Sequence, residues 1–253
     1  MPKLMHKRKA PYDGVFLYQK TQPMTNKPEE SFVHHIVALF EVHRNDHQAS
    51  MMSRYMKDQF GFLGIQSPLR RELTRSILAN RNLAGLSAEE LIPLVMKLWE
   101  LPYREYQYLA MDLLNRKMKK ASYVMIEPLE YLIVTKSWWD TVDMIASHHV
   151  GPLFLIKPEL VKKHVSAWMS SNNLWLQRTA ILFQLSYKGK TNEALLYRNI
   201  GELSGSREFF IQKAIGWALR EYAKTNPGSV VTFVAQANLA SLSRREALRK
   251  LTK

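Results

Sequence analysis

Helix-capping signals recur at short intervals from about residue 30 to the C-terminus, and this constrains the fold more than any other feature. Ser67 and Pro68 offer an N-cap and an N1 proline before a helical stretch over 69–78. Ser87 and Glu90 have capping-box spacing before 91–98. Glu127-Pro128 and Lys157-Pro158 mark two further starts. Asn173 is placed to cap 174–187, Ser206 to cap 207–224, Asn226-Pro227 to open the next helix, and Ser243 precedes the last. Between these marks apolar residues recur with helical period, and no segment sustains strand alternation. About a dozen helices of roughly 10–18 residues, joined by short loops, are the pattern of helix pairs stacked into a solenoid.

Trp139, Arg178 and Trp217 lie 39 residues apart, twice, within the period range of HEAT-like repeats. In a solenoid, residues one period apart line up on one surface of neighbouring repeats. The expected fold is therefore all-α: a HEAT-like helical repeat solenoid with a concave basic groove. Residues 31–253 form the repeat domain. Residues 1–30, broken by Pro2, Pro11, Gly14, Pro23 and Pro28, form a basic extension that is partly ordered at most.

Charge narrows the partner. Lys and Arg total 36 against 22 Asp and Glu, a formal net charge of +14. Such an excess opposes folding by self-repulsion unless it is spread out or meets an anion, and nucleic acid is the commonest one. No apolar run is long enough to span a membrane, and the basic N-terminus has no apolar core of a secretory signal. With no cysteine, disulfides, thiolate catalysis and Cys-based zinc sites are excluded, which suits a cytoplasmic protein. His148 and His149 are adjacent, so on a helix they diverge and cannot chelate one ion; they read as surface or core histidines. No metal and no cofactor are expected.

Three helices carry candidate chemistry. Ser137 is a plausible N-cap with Asp140 at N3. Trp138, Val142 and Ile145 then share one face and read as core, while Trp139 and Asp143 share the neighbouring face. The same phase lets Trp139 pack instead, with Asp143 a cap or a salt-bridge partner. Arg178 has Leu174, Trp175, Ile181 and Leu182 as helical neighbours. A guanidinium there needs a carboxylate or phosphate partner, or else its stem packs and its head stays in water. Trp217 stands among Lys213, Arg220, Glu221 and Lys224, a setting suited to a nucleotide unless the next helix pair covers it. Many of the further basic residues, among them Arg70, Arg71, Arg104, Arg116, Lys188, Lys190, Arg207, Arg244 and Arg245, lie near helix ends, where they could reach phosphates, although any single cluster also reads as a solvated face.

These segments resemble the AlkD family of bacterial DNA alkylpurine glycosylases. The stretches that carry the resemblance are 132–143 (LIVTKSWWDTVD), 175–185 (WLQRTAILFQL) and 209–227 (FFIQKAIGWALREYAKTNP). RYMK at 54–57 and FLGIQSP at 62–68 match as well, and the likeness covers about 31–253. It implies excision of N3- and N7-alkylated purines from duplex DNA without extruding the base, by a monofunctional enzyme acting as a monomer. It implies that Asp143 is the catalytic carboxylate, flanked by Trp139 and Trp217. Arg178 is implied as the groove arginine, with DNA contacts from Tyr55, Gln66, Pro68, Lys213, Arg220 and Lys224. The rivals are a non-catalytic HEAT-like nucleic-acid-binding protein and a protein-binding scaffold.

Overall fold

The structure, a computed structural model, describes residues 27–79, 83, 85–115, 117–249 and 251. The expected extension lies outside the described residues up to position 26. The described chain is helical, with a single isolated bridge between Gly61 and Tyr103. The helices are α1 (Lys27–Glu41), α2 (Asp46–Tyr55), α3 (Ser67–Leu78), α4 (Ile92–Glu100), α5 (Arg104–Asn115), α6 (Ile126–Val134), α7 (Trp139–Met144) and α8 (Gly151–Ile156). They continue as α9 (Glu159–Ser170), α10 (Leu174–Leu182), α11 (Glu193–Leu203), α12 (Phe209–Tyr222), α13 (Pro227–Gln236) and α14 (Ser241–Leu248). A π turn over Ile145–Val150 joins α7 to α8.

Two rows result, as the capping pattern predicts for a helical repeat solenoid. In one, α3, α5, α7, α10, α12 and α14 pack side by side in that order. The other backs it, with α4 on α5, α6 on α7 and α10, α9 and α11 on α10, and α13 on α12. The core lies between the rows. Its larger part runs from Ile36 to Phe183 and includes the fully buried Trp99 and Trp168; a second part holds Ile181, Ile211, Ile215, Leu219 and Val230. Each fully buried Leu or Ile contributes about 1.5–3 kcal/mol.

Several caps are as expected. Ser87 and Glu90 close a reciprocal box at 2.7 and 3.2 Å. The Asn173 side chain accepts from the Trp175 and Leu176 amides, and Asn226 from that of Ser229. Others move. The Ser137 hydroxyl donates to the Ile133 carbonyl at 2.6 Å, so it closes α6, and Trp138 takes the N-cap position of α7. Gln66 rather than Ser67 precedes α3, and Glu208 rather than Ser206 precedes α12. Ser243 sits inside α14, buried, donating to the Gln212 carbonyl.

Of the two histidines, His148 is exposed and His149 is core. The His149 Nε2 meets the Met111 carbonyl at 3.1 Å, and its Nδ1 is buried with no partner among the described residues. Burial lowers its pKa from 6.5 to about 4. Between those values the unfolded chain holds a proton that the fold rejects, so stability falls as pH drops through this window. At about 1.4 kcal/mol per unit, roughly 3 kcal/mol is lost by pH 4. Urea midpoints should show this loss, and His149→Gln, which cannot titrate, should flatten the profile.

Candidate active site

Asp143 and Trp139 stand one helical turn apart on α7, just ahead of the π turn, a helical irregularity frequent at functional sites. Arg178 reaches them from α10, whose start is fixed by the Asn173 cap. Its Nε donates to Asp143 Oδ1 at 2.7 Å and its Nη2 to Oδ2 at 2.8 Å, a bidentate pair, while Nη1 donates to the Phe210 carbonyl at the start of α12. Arg178 is 4% exposed and the Asp143 side chain 13%. Burial pushes the Asp143 carboxyl above the ordinary aspartate range; Arg178 opposes this and the neighbouring Asp140 adds to it. A guanidinium fork gripping both oxygens favours the carboxylate anion and fixes its orientation.

Arg178 was expected to meet a carboxylate or a phosphate, and the family likeness cast it as the groove arginine. Its geometry makes it the partner of Asp143, with three N–H groups engaged inside the protein. Arg104 departs further from expectation. Far from a surface cation, it is completely buried, and it grips Asp140 through Nε at 2.9 Å and Nη2 at 2.7 Å.

Trp138 and Trp139 are both half-buried, so Trp138 is less enclosed than the core position expected of it. Trp138 packs against Trp175 and Phe210 at ring separations of 5.8 and 5.1 Å. Trp139 is half-buried and meets the exposed Tyr55 edge-on at 6.0 Å. Both line a cleft of about 480 Å³ shared with Gln66, Arg70, Tyr108 and Met144. Gln66 is exposed and donates to Gln48 at 2.9 Å. Pro68, in the first turn of α3, lines the adjoining cleft with Arg71 and Arg75.

The loop that carries Gln66 is pinned from below by Glu105, whose buried carboxylate accepts the Leu63, Gly64 and Ile65 amides at 2.9–3.1 Å. Gly64 is required there: its φ is +85°, and a Cβ would lie 2.0 Å from the Asn45 carbonyl oxygen. Neither Glu105 nor Arg104 stood out in the sequence as a support for the site. The only hint was a charged pair at the start of a helix most of whose residues are buried.

Trp217 is on α12, beside α10, half-buried against the second core rather than standing free. The basic face around it is partly neutralised. Lys213 and Arg220 both bind Glu246 of α14, and Lys224 binds Glu221 of its own helix at 2.6 Å. Gly216 permits that approach, since a Cβ there would lie 2.5 Å from the Glu246 Cβ. Arg70 is likewise paired, with Asp112 at 2.5 Å. Among the described residues no cluster of acids and histidines could hold a metal, and no helix is long and apolar enough to cross a membrane.

The family model described as "DNA alkylation repair enzyme" matches residues 36–251. A solved structure titled "Predicted DNA alkylation repair enzyme from Enterococcus faecalis" is 34% identical and superposes with a TM-score of 0.76, covering 83% of this chain and 97% of that one. No curated protein matches. The chain belongs to the DNA alkylation repair enzyme family.

Proposed function

We propose that this protein is a monofunctional DNA glycosylase that hydrolyses the N-glycosidic bond of N3- and N7-alkylated purines in duplex DNA, leaving an abasic site. The observation that carries this reading is the Asp143 carboxylate, fixed in orientation by the Arg178 fork next to Trp139. An alkylated purine of this class is cationic, so it is already a good leaving group. As its bond to C1′ breaks, positive charge grows on the sugar. Asp143 stabilises that charge and orients the attacking water; such preorganised groups act strongly where water is excluded. The faces of Trp139 and Trp217 hold the cationic nucleotide by cation–π attraction. The base stays in the helix, unlike in enzymes that flip their target. The step needs no amine nucleophile, cofactor or metal, so strand cleavage does not accompany it. We read the enzyme as a cytoplasmic monomer.

We assign backbone contacts to Tyr55, Gln66 and Pro68, which are exposed along the clefts, and to Arg71 and Arg75, which form no ion pair among the described residues. Lys213, Arg220 and Lys224 reach phosphates only by sharing them with Glu246 and Glu221. Phosphate contacts carry no sequence information, so undamaged duplexes of different sequence should bind alike. Log K should fall by about 0.9 per phosphate neutralised for each tenfold rise in salt. A flat salt dependence would instead favour a protein-binding scaffold. The reaction itself is tested with a substrate panel. Duplexes carrying 7-methylguanine or 3-methyladenine should lose the base, whereas neutral O6-methylguanine and uracil should stay. Binding to all four with release of none would establish the non-catalytic rival.

A further inference from the structure

Helix α7 presents Trp139 and Asp143, yet its own start is weak. The segment before it is in the left-handed region at Lys136 (φ 47°), the N-cap is Trp138, and no side chain caps its free amides. What fixes it comes from α5. Arg104 donates to both oxygens of Asp140, to Thr141 Oγ1 at 2.8 Å and to the Lys136 carbonyl at 2.8 Å. Its guanidinium lies over the Phe60 ring, 3.8 Å from the centroid. Tyr108, one turn along α5, donates to the same Asp140 at 2.7 Å. Every member of this network is satisfied, and the Arg104 side chain has no exposed surface. Such a fully connected buried network fixes one geometry, because any alternative leaves a buried charge unpaired.

We propose that Arg104 is a positioning residue for the reaction at Asp143: it fixes the first turn of α7 and cancels the charge of Asp140, which lies one turn from the reacting carboxylate. This inference rests on the glycosylase reading of Asp143. The charged groups that face Asp143 are Arg178 from α10 and Asp140 from its own helix. Asp140 in turn faces Arg104 and Tyr108 of α5. With Arg104 in place, Asp143 meets Asp140 as half of a neutral pair. Without it, an uncompensated carboxylate would resist ionisation of Asp143 and let α7 shift.

The test uses single-turnover release of 7-methylguanine across pH, alongside duplex affinity and melting temperature, for the wild type, Arg104→Lys, Arg104→Gln and Arg104→Gln/Asp140→Asn. The wild type must first release the base; if it does not, the glycosylase reading fails before this inference is reached. Arg104→Lys keeps the charge but loses the fork. It should lower the rate about tenfold or more, since small misplacements are costly. Its acid limb and duplex affinity should stay in place. Arg104→Gln should move the acid limb to higher pH, and the double variant, with both charges gone, should bring it back. Should Arg104→Gln not fold, Arg104→Lys and the double variant decide: a rate loss with a wild-type acid limb in both supports the proposal. Wild-type rates and acid limbs in every folded variant, with only melting temperature reduced, would overturn it and leave Arg104 a structural residue.

Discussion

Asp143→Asn is expected to lose about 10²–10³ of the single-turnover excision rate, the usual cost of one well-placed electrostatic group. The side chain keeps its shape and loses its charge at the point where positive charge builds up on the sugar. Affinity for undamaged duplex should persist, because Asp143 repels phosphate rather than binding it. Stability should fall too, by about 3–5 kcal/mol, since an amide leaves the buried Arg178 charge without its counter-charge. The rate must therefore be taken per folded molecule, well below the transition. The wild-type rate should also fall on acidification with a midpoint above 3.8, the ordinary aspartate value, because burial raises the Asp143 pKa. That limb should be absent in Asp143→Asn. Near-wild-type rates in the variant would remove Asp143 from the chemistry.

Arg178→Ala should damage the fold from the other side of the same pair. It strands a buried carboxylate, and breaking a buried pair from one side costs about 3–5 kcal/mol. Asp143 would escape the penalty by taking up a proton, so activity at neutral pH should collapse with it. Arg178→Lys retains the charge without the fork and should fall between. A phosphate-gripping role makes a different forecast: an unchanged melting temperature, weaker DNA binding, and a salt slope flatter by about one unit. Calorimetry and salt titration on the same samples separate the two, and the 4% exposure of Arg178 favours the first.

Much of the scaffold was legible because its signals are local. Asn173, Asn226 and the Ser87–Glu90 box cap through groups two or three residues away. Ser137, Ser206 and Ser243 were misread because a hydroxyl can turn back, stay in a loop or cross to another helix, as the Ser243 bond to Gln212 does. The site was legible as single residues. Helical phase put Trp139 with Asp143 and left Arg178 needing an anion. Its partner, 35 positions earlier, is a product of repeat stacking that no local pattern encodes. The same limit hid Glu246, which turns the basic face of α12 into an ion-paired one, and hid the burial of Arg104, whose partner lies 36 positions on. Inter-repeat charge pairs of this kind are where stacking, not sequence, decides which cations are left for DNA.

Hydrolytic release of a cationic purine at Asp143 separates a glycosylase from a repeat protein that only binds DNA. It is tested most directly by incubating the wild-type protein in excess with a duplex carrying one 7-methylguanine. Free base is measured by mass spectrometry, and strand integrity before and after alkali. Free 7-methylguanine should appear in step with alkali-labile sites, with the strand intact until alkali is added and release by Asp143→Asn lower by about 10²–10³. Binding of the duplex with no free base above the uncatalysed rate would contradict it.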